Sequence, residues 1–155
     1  MLYLDASALV KRYVRERGSV TLNARFRKGD RIFTSILSEA EVQSALGRKY
    51  QLGHLPREAY DRAQEKFVLE LIYSYSVLAL DTGTLAAVRS LVERFPITGA
   101  DAVHLSAAIW LRDMCQLVPS FAPGEKEIEF GVADKQLADF ARDSGLKIFN
   151  PEELE

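Results

Sequence analysis

Short apolar runs that end on a polar, helix-capping residue recur along this chain, and they restrict it to a fold in which strands alternate with helices. Met1–Leu4 runs into Asp5, and Ile32–Phe33 runs into Thr34-Ser35; each reads as a buried strand entering a helix. Tyr75–Leu80 precedes Asp81-Thr82 and a helix predicted over Thr84–Arg94. Ile128–Ala133 precedes Asp134 and a helix to Ser144, which Gly145 ends before a last strand at Leu146–Phe149. Apolar spacing predicts further helices over Ser35–Leu52, Pro56–Tyr73 and Ala100–Leu111, while Leu117–Glu127, with Pro119, Pro123 and Gly124, reads as a loop. Strands joined through helices pair in parallel, so the expected fold is α/β, a three-layer α/β/α sandwich with a central, mainly parallel sheet. In such sheets the site lies at the carboxyl ends of the strands.

With 155 residues, 48% of them hydrophobic, the chain suits one domain over residues 1–155 that buries its core without staples. The lone Cys115 cannot form an internal disulfide or supply a Cys-rich zinc site, and it suits a reducing cytoplasm. No apolar run approaches the roughly 18 residues of a membrane span, and the strand-like start at Met1 leaves no leader segment, so the reading expects a cytoplasmic protein without a membrane role. Twenty Lys and Arg against 22 Asp and Glu give a net charge of −2, against a chain that grips nucleic acid through overall basicity. Residues 1–31 nonetheless carry eight bases and three acids, a net of +5 that leaves −7 for the remainder. Solvated helix surface explains that excess as readily as a basic binding flank does.

Asp5 and Asp134 each follow an extended apolar segment, and Asp101 stands among the first residues of a small-residue helix, so three carboxylates are expected at one sheet edge. Glu41 is the fourth: Leu37 one turn before it and Ala45 one turn after place it on the packed side of its helix, unlike Glu39. Crowded acids raise one another's pKa, and a divalent cation relieves the conflict. Oxygen donors without Cys or a His pair favour Mg2+ or Mn2+ over Zn2+, and such ions suit phosphodiester hydrolysis with water as nucleophile. Ser7, two residues after Asp5, is placed to hold a carboxylate or to cap the next helix, and Asp5, Asp101 and Asp134 taken singly read equally as caps. His104, one turn after Asp101, reads as a packed or hydrogen-bonded histidine, with proton transfer as the alternative. Lys11, Arg12 and Arg15 are the nearest basic candidates for phosphate contacts.

These segments resemble the PIN-domain family, and within it the VapC-type toxins of prokaryotic toxin–antitoxin pairs. The resemblance is carried by LYLDASALVKRY with Asp5 and Ser7, TSILSEAEVQSALGRKY with Glu41, GADAVHLSAA with Asp101, and FGVADKQLADFARDSGLKIF with Asp134, in that order. It implies a PIN-like nuclease domain that acts as an Mg2+- or Mn2+-dependent ribonuclease on single-stranded or loop RNA, often tRNA or rRNA. It also implies inhibition by a cognate VapB-like antitoxin, and a homodimer. Carried over by position, Asp5, Glu41, Asp101 and Asp134 are the catalytic metal ligands and Ser7 supports them. Two features depart from the family pattern: Val132 stands where a Ser or Thr often precedes the last acid by two residues, and Gln116–Glu127 is longer than the usual connection.

Two other classes remain open on the residues alone. In a catalytically inactive PIN-like scaffold module the acids are caps and the protein acts as a partner surface. A haloacid dehalogenase-like phosphatase shares the sheet and the Mg2+ requirement but needs a second Asp two residues after the first, where this chain has Ser7.

Overall fold

The computed structural model describes residues 1–118 and 127–153. Five strands, β1 (Leu2–Leu4), β2 (Ile32–Ser35), β3 (Tyr75–Leu78), β4 (Glu129–Gly131) and β5 (Lys147–Phe149), form one sheet in the order β3-β2-β1-β4-β5, with every pairing parallel. The helices are α1 (Ala6–Leu9), α2 (Ser19–Arg27), α3 (Leu37–Gln51), α4 (Arg57–Tyr73), α5 (Val88–Arg94), α6 (Gly99–Leu117) and α7 (Lys135–Asp143). A 3-10 turn at Val10–Arg12 extends α1.

Period-two alternation in β1 divides the core into the expected layers. Leu2 and Leu4 join Leu22 of α2, Val42 and Leu46 of α3 and Phe67 of α4 in one cluster. Tyr3 between them joins Phe130 of β4, Leu105 of α6 and Leu137 of α7 in the other. Both faces are therefore covered, as an all-parallel sheet requires. Among the described residues no helix is long and apolar enough to cross a membrane.

Thr34 and Ser35, expected as turn and cap, lie inside β2 and are fully buried. Burial is tolerated because both hydroxyls are bonded: Thr34 Oγ1 donates to the Leu4 carbonyl at 2.8 Å, and Ser35 Oγ accepts the Leu37 N–H at 3.1 Å. The N-cap of α3 is Ile36, without a side-chain cap bond, so Ser35 turns the chain just before the helix and does not cap it. Helix α6 runs six residues beyond its predicted end, and α5 starts four residues later than predicted because Asp81 and Thr84 hold a turn, in which Asp81 Oδ1 accepts the Gly83 and Thr84 N–H groups. Most of the predicted loop over 117–127, residues 119–126, lies outside the described residues, and so does most of the lengthened connection.

Candidate active site

The strand order changes direction beside β1: the chain moves outward to β2 and β3, then returns to β4 on the other side. Loops leaving β1 and β4 diverge there, and open α/β sheets form their ligand crevice at that point. Asp5 leaves β1 and Asp134 follows β4, so both stand at this switch point.

Asp5 is 4% exposed. Its Oδ1 accepts the Ala8 N–H at 2.9 Å, so it caps α1, and Ser7 Oγ donates to the same carboxylate at 2.8–2.9 Å. Ser7 Oγ in turn accepts the Ala133 N–H at 3.0 Å, and the Asp5 N–H donates to the Gly131 carbonyl, also at 3.0 Å. One hydroxyl thus ties the Asp5 turn to the segment that carries Asp134. Burial, set against the attraction of His104 and the bonds from Ala8 and Ser7, pushes the Asp5 carboxyl from its ordinary 3.8 up to about 6.

On the neighbouring side, Glu41 Oε2 lies 2.7 Å from His104 Nε2, and His104 Nδ1 lies 3.0 Å from the Tyr3 hydroxyl. A carboxylate only accepts, so Nε2–H donates to Glu41, while Nδ1 and the Tyr3 hydroxyl share the second bond. His104 and Tyr3 are buried, and burial beside Asp5 and Glu41 pushes the Tyr3 phenol well above its usual range. The histidine is the hydrogen-bonded residue that the sequence suggested, and its partner is one of the predicted acids. Asp101, one turn earlier on α6, accepts the Thr98 hydroxyl proton at 2.6 Å, and it is Thr98 that caps the helix. Asp134 caps α7 by accepting the Leu137 N–H at 2.8 Å.

Asp5, Ser7, Glu41 and His104 are therefore brought together, while the Asp101 and Asp134 side chains are turned to their own helix starts. Among the described residues no three His, Cys, Asp or Glu side chains stand close enough to hold a metal ion. The donor set nevertheless fits a hard divalent cation in kind: carboxylates and a hydroxyl, with none of the four acids in an ion pair with Lys or Arg among the described residues. Val132 is fully buried in the core, so no hydroxyl reaches the site from that position.

The basic candidates divide differently. Lys11 is 5% exposed and holds Glu16 at 3.2 Å and Glu152 at 2.6 Å; Arg12 holds Glu70 at 2.8 Å, bonds Asn23 and lies over the Phe26 ring. Both are used inside the fold, and only Arg15 of the three is exposed without an ion pair among the described residues. A groove of about 580 Å³ opens beside Ser7 and Glu41, with Ser44, Arg48, Lys49 and Ala133 on its walls.

Replacing His104 by Leu is expected to destabilise the fold by about 2 kcal/mol, because the Tyr3 hydroxyl and the Glu41 carboxylate both lose their partner while Tyr3 remains buried. Adding Tyr3→Phe should return part of that loss, since an absent hydroxyl needs no partner. Urea unfolding of the single and double variants measures both; a double variant weaker than the sum of the singles would contradict the network.

The sequence matches the PIN domain family over residues 2–121. No curated protein sequence matches the chain. Among solved structures, the crystal structure of FitAcB from Neisseria gonorrhoeae is similar, with a TM-score of 0.65 and 14% identity over 97% of this chain and 98% of that chain. The structure of FitAB bound to an IR36 DNA fragment is similar to the same degree, with a TM-score of 0.65 and 15% identity over 100% of this chain and 98% of that one. At these identities the likeness speaks to the fold.

Proposed function

Because this chain belongs to the PIN-domain family, we propose that it is a metal-dependent endoribonuclease, the toxin of a VapBC-type pair, which hydrolyses RNA phosphodiester bonds with water as nucleophile and without a covalent intermediate. The observation that carries the reading is a buried Asp5, with no Lys or Arg partner among the described residues, near a histidine-held Glu41 at the switch point of a parallel sheet. Acids whose pKa is raised by burial concentrate at functional sites, and Asp5 is such an acid in addition to capping α1.

Asp5, Glu41, Asp101 and Asp134 would hold Mg2+ or Mn2+, which when bound supplies an activated water and balances charge on the phosphate. Ser7 fixes the Asp5 carboxylate and, through Ala133, the segment before Asp134. His104 and Tyr3 fix the rotamer of Glu41 from beneath, in a region that water does not reach. The motifs shared with VapC-type toxins support a VapB-like antitoxin and a second copy of the chain as partners.

The test uses purified protein on a pool of structured RNAs, with Mn2+, with Mg2+ and with EDTA. Cleavage confined to the metal-containing samples is expected. A bound cation should also stabilise the fold, by about 2.7 kcal/mol at a hundredfold excess over its dissociation constant. Absence of both responses assigns the inactive scaffold reading, which the protein partner held by each acid favours.

A further inference from the structure

The groove beside Glu41 needs a cation if a polyanion is to lie in it, because the protein carries a net charge of −2 and the site itself is acidic. Three cationic side chains line it, and two are committed. Lys11 is buried between Glu16 and Glu152, and Lys49 Nζ holds Glu16 at 2.7 Å. Arg48 is exposed, makes no ion pair among the described residues, and spends one Nη1 proton on Ser44 Oγ at 2.8 Å, which leaves most of its five donors free. That bond also steadies the guanidinium, so less freedom is lost when it meets a ligand.

Glu41, Ser44, Ala45 and Arg48 recur at helical spacing on the face of α3 that borders the groove, which places Arg48 two turns, about 10 Å, along the axis from Glu41. Between them stand only the short side chains of Ser44 and Ala45, so an extended phosphodiester backbone can follow the helix from one to the other. A planar guanidinium matches phosphate oxygens two at a time. We propose that Arg48 anchors a non-scissile phosphate of a single-stranded polynucleotide whose neighbouring phosphate lies at Glu41, an assignment that rests on the nuclease reading.

Binding separates the two claims from cleavage. In an Asp5→Asn background with Mg2+, fluorescence anisotropy of a fluorescein-labelled oligouridylate is followed through a salt titration. Adding Arg48→Gln is expected to weaken binding roughly tenfold and to reduce the slope of log K against log salt by about 0.7, the value of one phosphate contact on a single strand. Arg48→Lys should keep the slope, and Arg89→Gln, which removes an exposed arginine paired with Glu93 on α5, should change neither quantity. Urea midpoints equal to the parent's exclude misfolding as the cause. Unchanged affinity and slope in Arg48→Gln overturn the anchor and leave the nuclease reading standing; a parent protein that binds no RNA overturns both.

Discussion

Asp5→Asn is expected to slow RNA cleavage by about a thousandfold or more while making the chelated protein more stable. The activity loss follows from the proposed role, since a metal-binding carboxylate supports several kcal/mol of transition-state stabilisation and each 1.36 kcal/mol is tenfold in rate. The stability gain follows from burial. Asp5 is 4% exposed, and desolvation outweighs the help of His104, Ala8 and Ser7 to leave its folded pKa at about 6 against an ordinary 3.8. For an acid raised in this way the folded state binds the proton more tightly, so its contribution to stability is fully present below the unfolded value and is lost as pH rises through about 6. The upper bound on that loss is about 3 kcal/mol from 1.36 kcal/mol per pKa unit. Asparagine is neutral and its Oδ1 can still accept from Ala8 and Ser7, but its NH2 needs an acceptor in a buried place, so a net gain of about 1 kcal/mol is expected. Urea unfolding in EDTA at pH 8 and pH 4 tests the sign: the variant should lead at pH 8 and lose its lead at pH 4, and added Mn2+ should restore the wild type's advantage. A variant weaker than wild type at pH 8 in EDTA would show that Asp5 is a structural cap and no more.

The parts of this site that the sequence discloses are those set by near neighbours in the chain. Asp5 and Ser7 stand two residues apart and meet through one turn, and Glu41 is selected over Glu39 by the face on which Leu37 and Ala45 lie. The histidine is visible as a residue, but its bond to Glu41 spans 63 positions and exists only because α3 and α6 both pack against β2. Lys11 fails as a phosphate contact for the same reason: Glu152 reaches it from 141 positions away. In the fold, α2 carries little periodic signal because among its nine residues only Leu22 and Phe26, one turn apart, present large side chains to the core, while arginines fill its end. Helix α6 continues past its predicted end at Leu111 through the charged neighbours Arg112 and Asp113. They satisfy each other on the surface, and the helix continues beneath them to a buried Cys115.

A different kind of constraint falls on Gly131, where substitution by valine is expected to destabilise the protein by about 3 kcal/mol, at the upper end of overpacking costs. Strand propensity alone argues the other way, by up to about 1 kcal/mol in favour of a β-branched residue. Packing wins because Gly131 is paired in register with Leu4 at the centre of the sheet, and a Cβ there would lie 2.5 Å from Leu4 Cδ2, 3.3 Å from the Tyr3 carbonyl oxygen and 3.4 Å from Leu2 Cδ1. Leu2, Tyr3 and Leu4 are fully buried, so the leucine cannot swing into solvent and the carbonyl cannot retreat without opening the β1–β4 ladder. The same ladder carries the bond from the Asp5 N–H to the Gly131 carbonyl, so the strain is delivered to the candidate site as well as to the core. Gly47 provides the contrast: it lies inside α3 with nothing within 4 Å of a Cβ, and alanine there should stabilise by about 0.5–1 kcal/mol through helix propensity alone. Urea midpoints for the two variants should therefore move in opposite directions, and Gly131→Val should lose RNA cleavage at temperatures where circular dichroism still shows it folded. A Gly131→Val protein with a wild-type midpoint would mean that β1 and β4 are not held in this register, and with them the juxtaposition of Asp5 and Ser7 with the segment leading to Asp134.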